Sequence, residues 1–156
     1  MKVYKKGAKI LTKVAKPVDI TKLSELVMLM GNMFDTMYKE HGVGLAAPQV
    51  GKSIQMVVVD CSRDDITPYK GTMINPSITY KEGTQTSIEG CLSLSGEWYK
   101  VERANKITVE YINIIGDSKI IELEGPTSAV VQHEINHLQG VLLDQIGVRI
   151  ENPDGK

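Results

Sequence analysis

Between Thr21 and Gly42, apolar side chains recur at Leu23, Leu26, Val27, Met30, Phe34 and Met37. That spacing places them on one face of a helix. It predicts one long amphipathic helix, with Thr21 as its N-cap and Gly42 as its stop. Gly31 inside it costs about 1 kcal/mol against alanine, and the methionine stripe reads as core packing rather than a cofactor site. The pattern then changes to β-rich runs at 54–60 (IQMVVVD), 72–80 (TMINPSITY) and 106–114 (KITVEYINI), the last turned by GDSK toward 120–125 (IIELEG). The segment 61–71 is a polar loop between strands. A second helix begins after Pro126, with Thr127 as its candidate cap and Gly140 closing it. Helix, antiparallel strands and late helix make an α+β chain of antiparallel or mixed sheets around that second helix.

Length and charge narrow the picture. The 156 residues suit a single domain, 1–156, with a sizeable core. Eighteen basic and nineteen acidic residues leave a formal charge of −1, so no global field draws the chain to nucleic acid or a membrane. The N-terminus is lysine-rich but lacks the apolar core of a signal peptide and the arginines of a transit peptide. No apolar run approaches the roughly 18 residues of a membrane span. The expected location is the cytoplasm. Two cysteines, Cys61 and Cys91, are too few for a disulfide framework, and each is a buried thiol, a metal ligand or a nucleophile.

The second helix carries the chemistry. In VVQHEINHLQG (130–140), His133 and His137 stand four residues apart and present two imidazoles to one point, with Glu134 beside the first. H-E-x-x-H suits two metal ligands and a carboxylate that takes a proton from water. The bland alternative is an amphipathic helix whose histidines match by chance. A catalytic ion usually takes a third protein ligand. Downstream of His137 only Asp144, Glu151 and Asp154 are available, and His41 is the remaining histidine. Upstream, EGCLS (89–93) places Cys91 between strand-like segments, where a thiolate could approach the helix. On the residues alone, an inert buried thiol is the default for it.

Three separated segments, GVGLAAPQ (42–49), EGCLS (89–93) and QHEINH (132–137), resemble the three signature motifs of peptide deformylases in order and separation. The resemblance extends from the N-terminal KKGAKILTKVAKPV to about Asp144. It implies a metal-dependent hydrolase that removes the formyl group from the initiator methionine of nascent polypeptides and releases formate. It implies Cys91, His133 and His137 as metal ligands with water in the fourth position, and Fe2+ as the native ion, replaceable by Zn2+, Ni2+ or Co2+. Glu134 becomes the proton carrier. The Gln49 side-chain amide and the Leu92 backbone N–H become oxyanion donors, where Gln49 is otherwise an ordinary surface glutamine. Gly42 and Gly44 keep the backbone beside the site uncluttered, so an extended peptide could pair with 43–45 (Val43, Gly44, Leu45) and with Gly90. The methionine pocket would use Val43, Ala129, Val130 and the flank of His133, whose apolar members core packing would equally explain.

The chain departs from the family pattern in places. Asn136 stands where an aspartate is usual, leaving Arg103, its matching partner, without the ionic part of the contact. Ser95 replaces a usual proline, and GPTSAVVQ is smaller and more polar than the segment typical of bacterial members. The end at VLLDQIGVRIENPDGK leaves no room for the C-terminal helix that some members use to dock at the ribosome. This compact form is compatible with a bacterial, organellar or phage-encoded member. Two alternatives remain: an HExxH zinc peptidase of another fold, which needs a downstream third ligand, and a catalytically silent peptide-binding relative.

Overall fold

The computed structural model describes residues 1–154. Eight strands run in chain order: β1 (Gly44–Ala46), β2 (Met56–Cys61), β3 (Tyr69–Glu82), β4 (Gln85–Cys91), β5 (Leu94–Arg103), β6 (Lys106–Ile112), β7 (Ser118–Glu124) and β8 (Val148–Ile150). The helices are α1 (Val27–Lys39), α2 (Pro126–Leu138) and the short α3 (Leu143–Ile146). One sheet has the order β1-β2-β3-β6-β7 and the other β4-β5-β8. Every named pair is antiparallel, and a lone parallel bridge joins Lys16 to Ile54. The α+β class expected from the sequence holds.

The core explains why β2 is apolar without alternation. Met56, Val57, Val58 and Val59 are all fully buried, because successive side chains point to opposite faces and both faces are covered. Val57 and Val59 pack with Val131, Ile135 and Leu138 of α2. Met56 and Val58 pack with Met33 and Met37 of α1. The large sheet thus lies between the two helices, with α2 enclosed by both sheets. In β3 the pairing shifts between Ile74 and Ser77. There Pro76 has no N–H to donate, and the Asn75 side chain instead accepts from Val18 N–H (2.8 Å) and donates to Val18 C=O (3.0 Å).

Element ends correct four expectations. The first helix is shorter than the pattern predicts: Ile20–Leu26 forms 3-10 turns with a kink at Lys22 before α1 starts. Asp19, not Thr21, is the cap, accepting from the Thr21 N–H at 3.0 Å. The stop is His41, not Gly42: His41 takes φ 59° and its N–H reaches Tyr38 C=O, while the Gly42 N–H reaches Met37 C=O at 2.9 Å, closing the last turn. At α2 the residue outside the first turn is Gly125, so Thr127 lies inside the helix rather than capping it. None of the described helices is long and apolar enough to cross a membrane.

Candidate metal centre

Two elements bring the donors together. Along β4, burial alternates so that Ser87, Glu89 and Cys91 turn inward while Thr86, Ile88 and Gly90 turn outward. Alternation therefore presents Glu89 and Cys91 to α2. On α2 the i, i+4 spacing stacks His133 above His137, with ring centroids 5.1 Å apart. One donor atom each from Cys91, His133 and His137 falls within 4.8 Å of the others, and Cys91 Sγ lies 3.4 Å from His137 Nε2. A tetrahedral ion with bonds of about 2.3 Å to sulfur and about 2.0 Å to nitrogen needs roughly 3.5 Å there. The fit is close, and a thiolate with two imidazoles suits a borderline-soft divalent ion. Asp144, a downstream alternative, is instead paired with Lys6 at 2.6 Å.

The site is supported from behind. Glu89 Oε1 lies 2.9 Å from His133 Nδ1, which leaves Nε2 for an ion. Arg103 holds Glu89 with two bonds, Nε to Oε2 at 3.0 Å and Nη2 to Oε1 at 2.8 Å. Its Nη1 donates to Asn136 Oδ1 at 2.5 Å. The polar chain Asn136–Arg103–Glu89–His133 is continuous, and Asn136 fills its end with an amide oxygen. Burial alone would push the Glu89 carboxyl up, but hydrogen bonds with His133 and Arg103 and their charges outweigh it and hold it at about 2. The sequence reading missed Glu89, although its place two residues before Cys91 on a strand is the signal that finds it.

Glu134 is 4% exposed, and its Oε1 has no hydrogen-bond partner. Burial raises its carboxyl to about 7. Burial pulls both imidazoles down. At His133 the charge of Glu134 and contacts with Cys91 and Glu89 reverse this and raise it to about 10, whereas His137 stays well below its ordinary value.

Gln49 is pinned at both ends. Its Oε1 accepts from Ala46 N–H at 3.0 Å, and Nε2 faces Ser93 Oγ at 3.2 Å and Cys91 Sγ at 3.7 Å. Leu92 sits in the turn between β4 and β5, where its carbonyl accepts from Lys5 Nζ at 2.6 Å. Lys5 also donates to Ser95 Oγ at 2.9 Å, so the residue in the usual proline position carries a bond to the N-terminal segment.

A groove of about 580 Å³ opens over these groups. Of the expected pocket residues it is lined by Val43, Gly44, Gly90, Ala129 and Val130. Leu45 is the exception: its side chain is fully buried in the core beside Met33 and Met37, so it can offer a substrate only backbone. Lys5, Ile88, Trp98 and Pro126 line the groove as well, and the sequence reading had no role for them. Trp98 pairs with Gly90 across the β4–β5 hairpin, a register that the apolar pattern does not carry.

Comparison with known proteins agrees with this geometry. Residues 1–149 match the family described as polypeptide deformylase. The chain is 44% identical over 142 residues to a peptide deformylase of Carboxydothermus hydrogenoformans, covering 90% of this chain and 89% of the relative. It is 43% identical over 153 residues to one of Halothermothrix orenii, covering 96% and 95%. Among solved structures, a Met-Ala-Ser-bound peptide deformylase from Acinetobacter baumannii superposes with a TM-score of 0.87 at 32% identity, over 94% of this chain and 97% of that one. The enzyme from Thermus thermophilus gives 0.82 at 39%, over 92% and 83%.

Proposed function

Because the chain belongs to the polypeptide deformylase family, we propose that Cys91, His133 and His137 hold its metal ion, that Fe2+ is the native one, and that residues 1–156 work as one catalytic domain. The enzyme is a metal-dependent hydrolase that removes the N-formyl group from nascent peptides. A divalent ion in this site supplies Lewis acidity, polarising a carbonyl oxygen and lowering the pKa of water from about 16 toward roughly 7.

The chain's own residues divide the remaining work. Glu134 accepts a proton from the attacking water and delivers it to the leaving amine as the bond between formyl carbon and nitrogen breaks. Its unpartnered, buried Oε1 supports this role, as does a carboxyl raised to about 7 by burial. Gln49 Nε2 and the Leu92 N–H face the developing charge on the former formyl oxygen. Since Gln49 Oε1 is engaged by Ala46, the amide keeps its donating end on the Cys91 side, where Nε2 contacts Ser93 Oγ and Cys91 Sγ. Arg103 and Asn136 act behind the ligands, orienting His133 through Glu89.

Substrate enters as an extended strand between Val43–Leu45 and Gly90, gaining affinity from main-chain pairing. Its first side chain fills the space between Val43 and the Pro126, Ala129 and Val130 wall. Formyl-methionyl peptides emerging from bacterial-type ribosomes in the cytoplasm are the substrates this predicts.

The buried Glu134 oxygen beside three converging donors carries this reading. Formate release from a formyl-Met tripeptide, using protein loaded anaerobically with Fe2+ or Ni2+, tests it. Wild type turns over. Glu134→Ala keeps metal without turnover, and Cys91→Ala loses metal. Turnover by Cys91→Ala with full metal content would remove Cys91 from the site.

A further inference from the structure

The helix that carries the donors begins without a cap of its own. Gly125 has no side chain to offer, and its backbone takes φ 68° and ψ −137°. The first amides of a helix need acceptors from elsewhere, and the loop between β2 and β3 supplies one. Asp64 Oδ2 accepts from the Thr127 hydroxyl at 2.6 Å and from the Thr127 N–H at 3.3 Å. Its other oxygen accepts from Ile66 N–H at 3.1 Å, which fixes the carboxylate. Thr67 Oγ1 then accepts from Glu124 N–H at 3.0 Å and donates to Glu124 C=O at 2.9 Å. Between these grips Ile66 packs on Gly125, where an added Cβ would lie 2.8 Å from Ile66 Cδ1.

The near end of the same loop is tied to Val43, another residue that lines the groove. Asp60 N–H donates to Val43 C=O at 2.8 Å. Tyr38 at the end of α1 donates its hydroxyl to Asp60 Oδ2 at 2.5 Å, and Asp60 Oδ1 takes Ser62 N–H and Oγ at 3.1 and 2.6 Å. One loop therefore connects Val43 to the first turn of α2. Pro126, Ala129 and Val130 at the start of α2 line the same groove as Val43. His133 and His137 lie farther along α2, where Val131, Ile135 and Leu138 lock the helix into the core.

We propose that Asp64 is a positioning residue that, through Thr127, holds the start of α2 at a set distance from Val43 and so fixes the width of the pocket for the substrate's first side chain. This rests on the assignment of Val43, Ala129 and Val130 to that pocket. Asp64 acts through Thr127 and touches neither substrate nor metal. Releasing the clamp loosens one wall of the pocket and leaves the metal donors in place.

The test uses metal-loaded Asp64→Asn, Thr127→Val and Thr127→Ser with formyl-Met and formyl-Phe tripeptides, alongside metal content and amide exchange. Asp64→Asn and Thr127→Val are expected to raise KM for the formyl-Met peptide roughly tenfold, the scale of one charge-assisted hydrogen bond. Their kcat should stay within about twofold and their metal content unchanged. Preference for Met over Phe should fall, Thr127 amide exchange should speed up, and Thr127→Ser should restore all three readouts. Unchanged KM and preference, or kcat falling with the metal content, would overturn the positioning role. Wild type that turns over both peptides without preferring Met would instead reject the pocket assignment, whatever the variants do.

Discussion

Glu134 lies directly against Gly44: a Cβ built on Gly44 would meet Glu134 Oε2 at 2.5 Å and Glu134 Cδ at 2.9 Å. No side chain, even a methyl group, fits between β1 and the carboxylate. The backbone dihedral of Gly44 is not the constraint, since its φ is not among the positive ones. The requirement is space.

Gly44→Ala is accordingly expected to displace the Glu134 carboxylate while leaving Cys91, His133 and His137 in place. Loss of a well-placed proton carrier costs about 10²- to 10⁴-fold in rate. The variant should bind metal with wild-type stoichiometry and lose at least about 10²-fold in kcat. Wild-type turnover would show that the carboxylate tolerates displacement or that β1 gives way.

Glu89→Gln separates support from ligation. Losing the carboxylate behind His133 Nδ1 should weaken metal binding by roughly 10- to 100-fold, measured by competition with a chelator. It should also change the pH dependence of stability in the metal-free protein. The folded Glu89 carboxyl is held at about 2, below its ordinary value of 4.5, so the folded state binds fewer protons than the unfolded chain between those values. Its contribution is full above about pH 4.5 and is lost as pH falls toward 2. The gap in Tm between wild type and Glu89→Gln should therefore narrow over that acid range. A constant gap from pH 6 to pH 2.5 would show that the ion pair with Arg103 does not titrate with folding.

The two cysteines should react differently. Burial pushes the Cys61 thiol up to about 11, so it stays protonated and slow near neutral pH. Cys91 lines the groove and becomes accessible once metal is removed. Chelation followed by brief alkylation at pH 7.5 should label Cys91 and spare Cys61, as read by peptide mass spectrometry. Equal labelling of both would contradict the burial of Cys61.

Much of the site was legible because its residues sit in short local patterns. The i, i+4 histidines with an intervening glutamate need only a helix to converge, and helical geometry is the same in any tertiary context. Class and four of the eight strands were legible for a similar reason: β2, β3, β6 and β7 carry continuous or alternating apolar runs. β4 and β5 were not: β4 turns serine, glutamate and cysteine inward and holds threonine, isoleucine and glycine outward, and β5 places Arg103 beside Tyr99 and Val101 on its inner face. Their order comes from pairing with each other and with β8 rather than from a periodic signal.

By itself the sequence determined the donor types, the helix that carries two of them and, through three separated motifs, the family. The tertiary structure alone decided how Cys91 on a strand meets that helix 42 residues later, which oxygen supports His133, and why Leu45 faces the core while Val43 lines the groove. It also decided that the cap of the metal helix comes from Asp64, 63 residues away. Local propensities act over one or two turns of chain, whereas a hydrogen bond between distant segments exists only after the sheets and helices have packed and their relative positions are fixed.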